Sequence, residues 1–118
     1  MVDTQTVKQS PILKRSTELY LSLCQHAATI QTELNYNEMP ELRNTFKAFR
    51  YCLYEIYFLL VDSYEFDSKL RSEIEEWSKV NRVSNKKEKE FYTNSLDLFK
   101  FLKSELNRLS IISIREDY

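Results

Sequence analysis

Between Pro40 and Leu60 the residues Leu42, Phe46, Phe49, Leu53, Ile56 and Leu60 recur at steps of four and three without a miss, the repeat of one helix face. Pro40 suits the first turn, where its missing N–H is no loss, and Glu41 meets the positive end of the helix dipole. The same period runs through three further segments. Ile12, Leu19, Leu23, Ala27, Ile30 and Leu34 form a stripe behind Ser10 and Pro11, a hydroxyl N-cap followed by a first-turn proline. Leu70, Ile74 and Trp77 mark a shorter helix, introduced by the capping side chains Asp62, Ser63, Asp67 and Ser68 and ending near Asn81. Phe91, Leu98, Leu102, Leu106 and Leu109 mark a fourth, widened by Tyr92, Leu96, Phe99 and Phe101, with Asn85 and Glu88 spaced as a capping box at its start.

Four amphipathic segments with short connections predict an all-α, up-down four-helix bundle whose third helix is the shortest. The competing arrangement has three long helices with the third segment at their side. Residues 11–118 read as one domain, preceded by a polar, unpatterned and flexible arm over residues 1–10. After Leu109 the β-branched run Ile111, Ile112 and Ile114 can fray, extend the helix or pair as a strand, so the pattern leaves residues 110–118 open.

Composition sharpens this picture in two places. The chain has 118 residues and no glycine, which argues against tight hairpins and removes every glycine-dependent phosphate loop or dinucleotide turn. Aromatic residues make up 14%, a large supply of burial or interface area. A net charge of −1 provides no global field for nucleic acid or an anionic membrane, so any such binding has to be local. No apolar leader and no run long enough to span a bilayer stand out, and cytoplasmic residence is the expectation. Cys24 and Cys52 form no CxxC pair and are expected to be reduced, buried thiols acting as small apolar residues.

With one histidine, His26, the chain cannot build a site with two histidine ligands. Cys24 and His26 point about 200° apart on a helix and cannot close on one ion unaided. His26 itself falls at the boundary of the first stripe, where an imidazole with one ordinary partner is the expected state. Glu73, Glu75 and Glu76 read as a solvated face among lysines and arginines. No catalytic, metal or cofactor-binding residue is assigned, and no cofactor is expected.

Two features depart from an ordinary amphipathic bundle. From Tyr51 to Val61 the only charged residue is Glu55, so the second helix is apolar nearly all round. Either neighbouring elements enclose it, or Tyr51, Tyr54, Phe58 and Leu59 form an interface, most simply between two copies of the chain. Charge is also sorted by position: Asp62 to Glu76 carries net −4, and Lys79 to Lys89 carries net +4. Lys86, Lys87 and Lys89 oppose the dipole at the start of the fourth helix and, with Arg82, suit an anion or an acidic partner. A solvated basic turn is the plainer alternative. The function expected is a non-enzymatic interaction module, an adaptor, accessory subunit or inhibitor, that self-associates and binds another protein. The alternative is a nucleic-acid-associated accessory protein working through the basic turn.

Overall fold

Helix boundaries fall largely where capping chemistry puts them. The computed structural model describes residues 10–112; the N-terminal arm up to residue 9 and the tail from residue 113 lie outside the described residues. Four α-helices follow one another: α1 Pro11–Asn35, α2 Met39–Leu60, α3 Ser68–Ser78 and α4 Glu88–Arg108, with a 3-10 turn at Asn85–Lys87 before the last. Of the described residues 80% are helical and none is in a strand. Ser10 Oγ accepts the Leu13 N–H at 3.1 Å, and Asp67 Oδ1 accepts those of Lys69 and Leu70 at 2.8 and 3.2 Å. Each side chain satisfies backbone donors that have no partner inside their helix.

Two boundaries differ from the sequence expectation. The third helix ends at Ser78 rather than near Asn81. The capping box of Asn85 and Glu88 does not form: Asn85 enters the 3-10 turn, and the Glu88 carboxylate is drawn away by a cation on α2.

Without glycine, the left-handed positions that close helices fall to other residues. Asn37 at φ 59° and Ser110 at φ 60° take them. After α1 the N–H of Glu38 donates to Glu33 O and that of Asn37 to Leu34 O; after α4 the N–H of Ile111 donates to Leu106 O and that of Ser110 to Asn107 O. Both are Schellman turns. The second carries Ile111 and Ile112 back into the core, so this part of the C-terminal run is a cap rather than more helix or a strand.

Side-chain pairs define the topology. Arg15 of α1 meets Glu55 of α2, as antiparallel neighbours about the Asn37 turn would. Tyr57 contacts Phe66 just before α3, while Tyr54 contacts Trp77 near its end, so α2 and α3 are also antiparallel. Trp77 bonds Ser95, and Asp67 bonds Glu105, which makes α3 and α4 antiparallel. Arg43 with Glu88, Phe46 with Tyr92 and Phe49 with Phe99 then run in the same order along α2 and α4, a parallel pair in contact across the bundle. This is the up-down four-helix bundle, drawn together along one diagonal. Since α2 touches α1, α3 and α4, much of its apolar circumference is explained by the fold itself.

Along α1, Leu19, Leu23, Ile30 and Leu34 are buried, but Ile12 is exposed and Ser16 takes its place in the core, its hydroxyl donating to Ile12 O at 2.7 Å. Along α4 the buried line passes through Glu88, Tyr92, Ser95, Phe99, Leu102 and Leu106, two of them polar residues held by specific partners.

Candidate functional site

The structure divides the circumference of α2 into a committed flank and an open face. On the committed flank Arg43 donates to Glu88 through two nitrogens at 2.7 and 3.0 Å, and the Tyr92 hydroxyl donates to the same carboxylate at 2.8 Å. The Arg43 guanidinium holds the Glu88 carboxyl below the ordinary carboxylate value against the opposing effect of burial, with the Tyr92 hydroxyl adding to it. Burial and the adjacent carboxylate push the Tyr92 phenol upward, so it stays protonated and donating.

Two turns along, Arg50 has no carboxylate. Its guanidinium donates to the Tyr54 hydroxyl and to the carbonyls of Trp77, Ser78 and Val80, the last at 2.6 Å, and lies 5.4 and 5.2 Å from the Tyr54 and Trp77 ring centroids. A cation from α2 thus closes the C-terminal end of α3, where backbone carbonyls lack helical partners. The Trp77 indole N–H donates to Ser95 Oγ at 2.8 Å, joining α3 to α4.

The open face begins beside Arg50. Tyr51 is 66% exposed and Phe58 60%, and Tyr54 lies between them, its ring 6.0 Å from Phe58. With Glu55 and Ser78 these three rings line one shallow groove. Of the four residues expected at an interface, Tyr51, Tyr54 and Phe58 come together, whereas Leu59 is half-buried and packed on the core. Glu55 accepts from Arg15 Nη2 at 2.9 Å and anchors the edge of this face to α1.

The basic turn is less unified than its sequence implies. Arg82, Lys86, Lys87 and Lys89 are all exposed, but Arg82 faces two ways: it lines a groove against α2 with Arg43, Lys47 and Arg50, and a second depression with Lys87 and Glu90. Arg43, Lys47 and Arg50 were not legible as a site. Their only signal is regular placement beside the apolar stripe, Arg43 next to Leu42 and Arg50 next to Phe49. Glu88 and Glu105 had a clearer one, since both sit among the buried residues of α4.

Cys24 and Cys52 are free but half-buried rather than enclosed, because each lies at the edge of its helix stripe and packs on the core from the side. Burial raises the Cys52 thiol above its ordinary value, with the nearby Glu55 charge adding to the shift. His26 is half-buried, the boundary position its spacing predicts. Among the described residues no group of three or more His, Cys, Asp or Glu side chains is placed to share a metal ion, and no helix is long and apolar enough to cross a membrane. No protein-family model, curated protein or solved structure matches the chain.

Proposed function

We propose that this protein is a non-enzymatic helical-bundle interaction module, an adaptor, accessory subunit or inhibitor, that self-associates through the outer face of α2. The observation that carries this reading is the adjacent exposure of Tyr51 and Phe58, with Tyr54 packed between them. Large exposed aromatics placed side by side are the surface that association removes from water. A second copy is the simplest occupant, because a two-fold axis through the groove sets the same rings against each other. Burying about 300 Å2 of apolar surface per chain contributes several kcal/mol at roughly 25 cal/mol per Å2, less the entropy of association. A dimer of modest affinity follows. The half-exposed free thiols of Cys24 and Cys52 fit a reducing compartment such as the cytoplasm.

Sedimentation of wild type and Phe58→Asp tests the reading. A concentration-dependent dimer in the wild type and a helical, monomeric variant are expected. A wild type that stays monomeric at high micromolar concentration overturns self-association. The alternative, a nucleic-acid accessory protein acting through Arg82, Lys86, Lys87 and Lys89 together, has weaker support, because Arg82 and Lys87 share their depression with Glu90 and the chain as a whole is at −1.

A further inference from the structure

The groove between α2 and the segment that leaves α3 carries more positive charge than the fold uses. Arg43, Lys47, Arg50 and Arg82 line it, against one carboxylate, Glu88. Glu88 is occupied by Arg43 and Tyr92. Arg50 has only neutral acceptors, a phenol and three carbonyls. Lys47 and Arg82 make no hydrogen bond or ion pair among the described residues, and both are exposed. Three cations are therefore left without an acid in a single concavity.

The remaining walls are mixed. Asn44 and Asn81 bring amides that donate and accept, and Phe46, Tyr92 and the half-buried Phe91 bring ring surface. The adjoining depression, which Arg82 also lines, holds Lys87 and Glu90, so most of the unbalanced charge lies on the α2 side.

We propose that this groove binds an organic phosphate of mononucleotide size, with Lys47 and Arg82 holding the phosphoryl group and Phe91 supporting the attached ring. A phosphate monoester brings close to two negative charges to three unmatched positive ones, and its oxygens suit the fork of a free guanidinium. Arg43 and Arg50 are already held by the fold; they set the local potential, while Lys47 and Arg82 are free to close on the ligand. The groove, of about 580 Å3, is of small-molecule size. A nucleic-acid strand needs a continuing cationic track, whereas here the excess of positive charge falls on leaving the groove and the chain as a whole is at −1.

Amide-resolved NMR titration at low ionic strength tests the proposal with adenosine monophosphate, inorganic phosphate and a short oligothymidylate on the full chain. Saturable shifts with the mononucleotide are expected at Asn44, Asn81 and Phe91, with weaker binding of inorganic phosphate. Lys47→Glu with Arg82→Glu should lower mononucleotide affinity by at least about tenfold. Lys86→Glu with Lys89→Glu should leave it within about twofold. Should the double reversal disturb folding, Lys47→Ala with Arg82→Ala removes the same charges with less perturbation and is read in the same way. Four results overturn the proposal: no saturable shift with the mononucleotide, equal affinity for inorganic phosphate, binding of the oligonucleotide alone, or undiminished affinity in the Lys47 and Arg82 variant. Since the groove and the outer aromatic face use different side chains as their ligand-contacting groups, a monomeric protein does not decide this test.

Discussion

Phe49 and Phe58 belong to the same helix and the same residue type, yet Phe49 is fully buried against Phe46 and Phe99 while Phe58 is 60% exposed and touches mainly its own neighbours, Tyr54 and Tyr57. The difference is angular. Phe49 lies on the side where α4 crosses, and Phe58 on the side that no described element covers. Between them runs the flank of Arg43, Arg50 and Tyr57: Arg43 reaches Glu88 of α4, Arg50 the carbonyls at the end of α3, and the Tyr57 ring packs on Phe66 just before α3. A helix that looks apolar all round therefore has three separate parts: one for the core, one that ties elements together, and one left over for another molecule.

The largest test of this division replaces each phenylalanine in turn. Phe49→Ala removes a buried ring from the contact between α2 and α4 and should cost about 3–5 kcal/mol in denaturant unfolding. Phe58→Ala should change monomer stability by no more than about 0.5 kcal/mol, because little of its surface is taken from water by folding. Equal costs at the two positions would erase the distinction between inner and outer faces.

Next in size is the residue on the boundary. Arg50→Met keeps much of the aliphatic stem but removes the guanidinium that lies over the Tyr54 and Trp77 rings and donates to the carbonyls of Trp77, Ser78 and Val80. Hydrogen bonds to a charged donor contribute about 1.5–3 kcal/mol, and water can replace part of that at the end of α3. A loss of about 2 kcal/mol in the unfolding free energy is expected, with hydrogen exchange rising first in Glu76 to Val80. A loss spread evenly over the protein would contradict the picture of Arg50 as the local closure of α3.

Acid should weaken the committed flank before the open face. Arg43 lowers the carboxyl of Glu88, and Arg108 with the Asp67 N–H lowers that of Glu105, both from an ordinary value of 4.5. Each group therefore stabilises the folded chain fully above that value, and its contribution disappears as pH falls through the depressed folded value. Glu88→Gln and Glu105→Gln should each lessen the decline of the unfolding midpoint below pH 4.5. Parallel acid profiles for wild type and both variants would mean that other carboxylates govern acid unfolding.

The same division accounts for what the sequence disclosed. Periodicity identified four helices and most of the core because burial repeats with the helical turn, and Leu42 to Leu60 show this without interruption. It could not divide the rings of α2 between core and surface, since that depends on which side α4 crosses, a contact set by residues as distant as Glu88 and Phe99. Tyr51, Tyr54 and Phe58 were visible as an excess over one stripe, whereas Leu59 belonged to the core edge. The lysine run at the start of α4 drew attention by its density. The richer cationic groove assembles Arg43, Lys47 and Arg50 with Arg82 from across the chain, and no linear run announces it. Glu88 misled for a related reason: its spacing from Asn85 is that of a cap, but the Arg43 guanidinium is the stronger partner for a buried carboxylate.

The smallest expected effect contrasts the two ion pairs that α2 makes. Arg43 and Glu88 form a two-pronged bond in which the glutamate side chain is only 10% exposed and also accepts from Tyr92. Arg15 and Glu55 meet with 48% and 32% of their side chains exposed, at the rim of the open face, and both arginine contacts use one oxygen, Oε2. Glu55 Oε1 is buried with no partner among the described residues, so half of that carboxylate loses water without recovering a hydrogen bond. Exposed pairs also lose side-chain freedom and are screened by salt. Double-mutant cycles with alanine at each position should therefore show clear coupling for Arg43 with Glu88 and coupling near experimental error for Arg15 with Glu55 at physiological salt. Raising the salt should erase what remains of the second and leave most of the first. If Arg15 and Glu55 couple as strongly as the buried pair, the rim of the open face is bound into the fold like the flank. The exposed rings beside Glu55 would then stand on a far stiffer support than two half-solvated side chains provide.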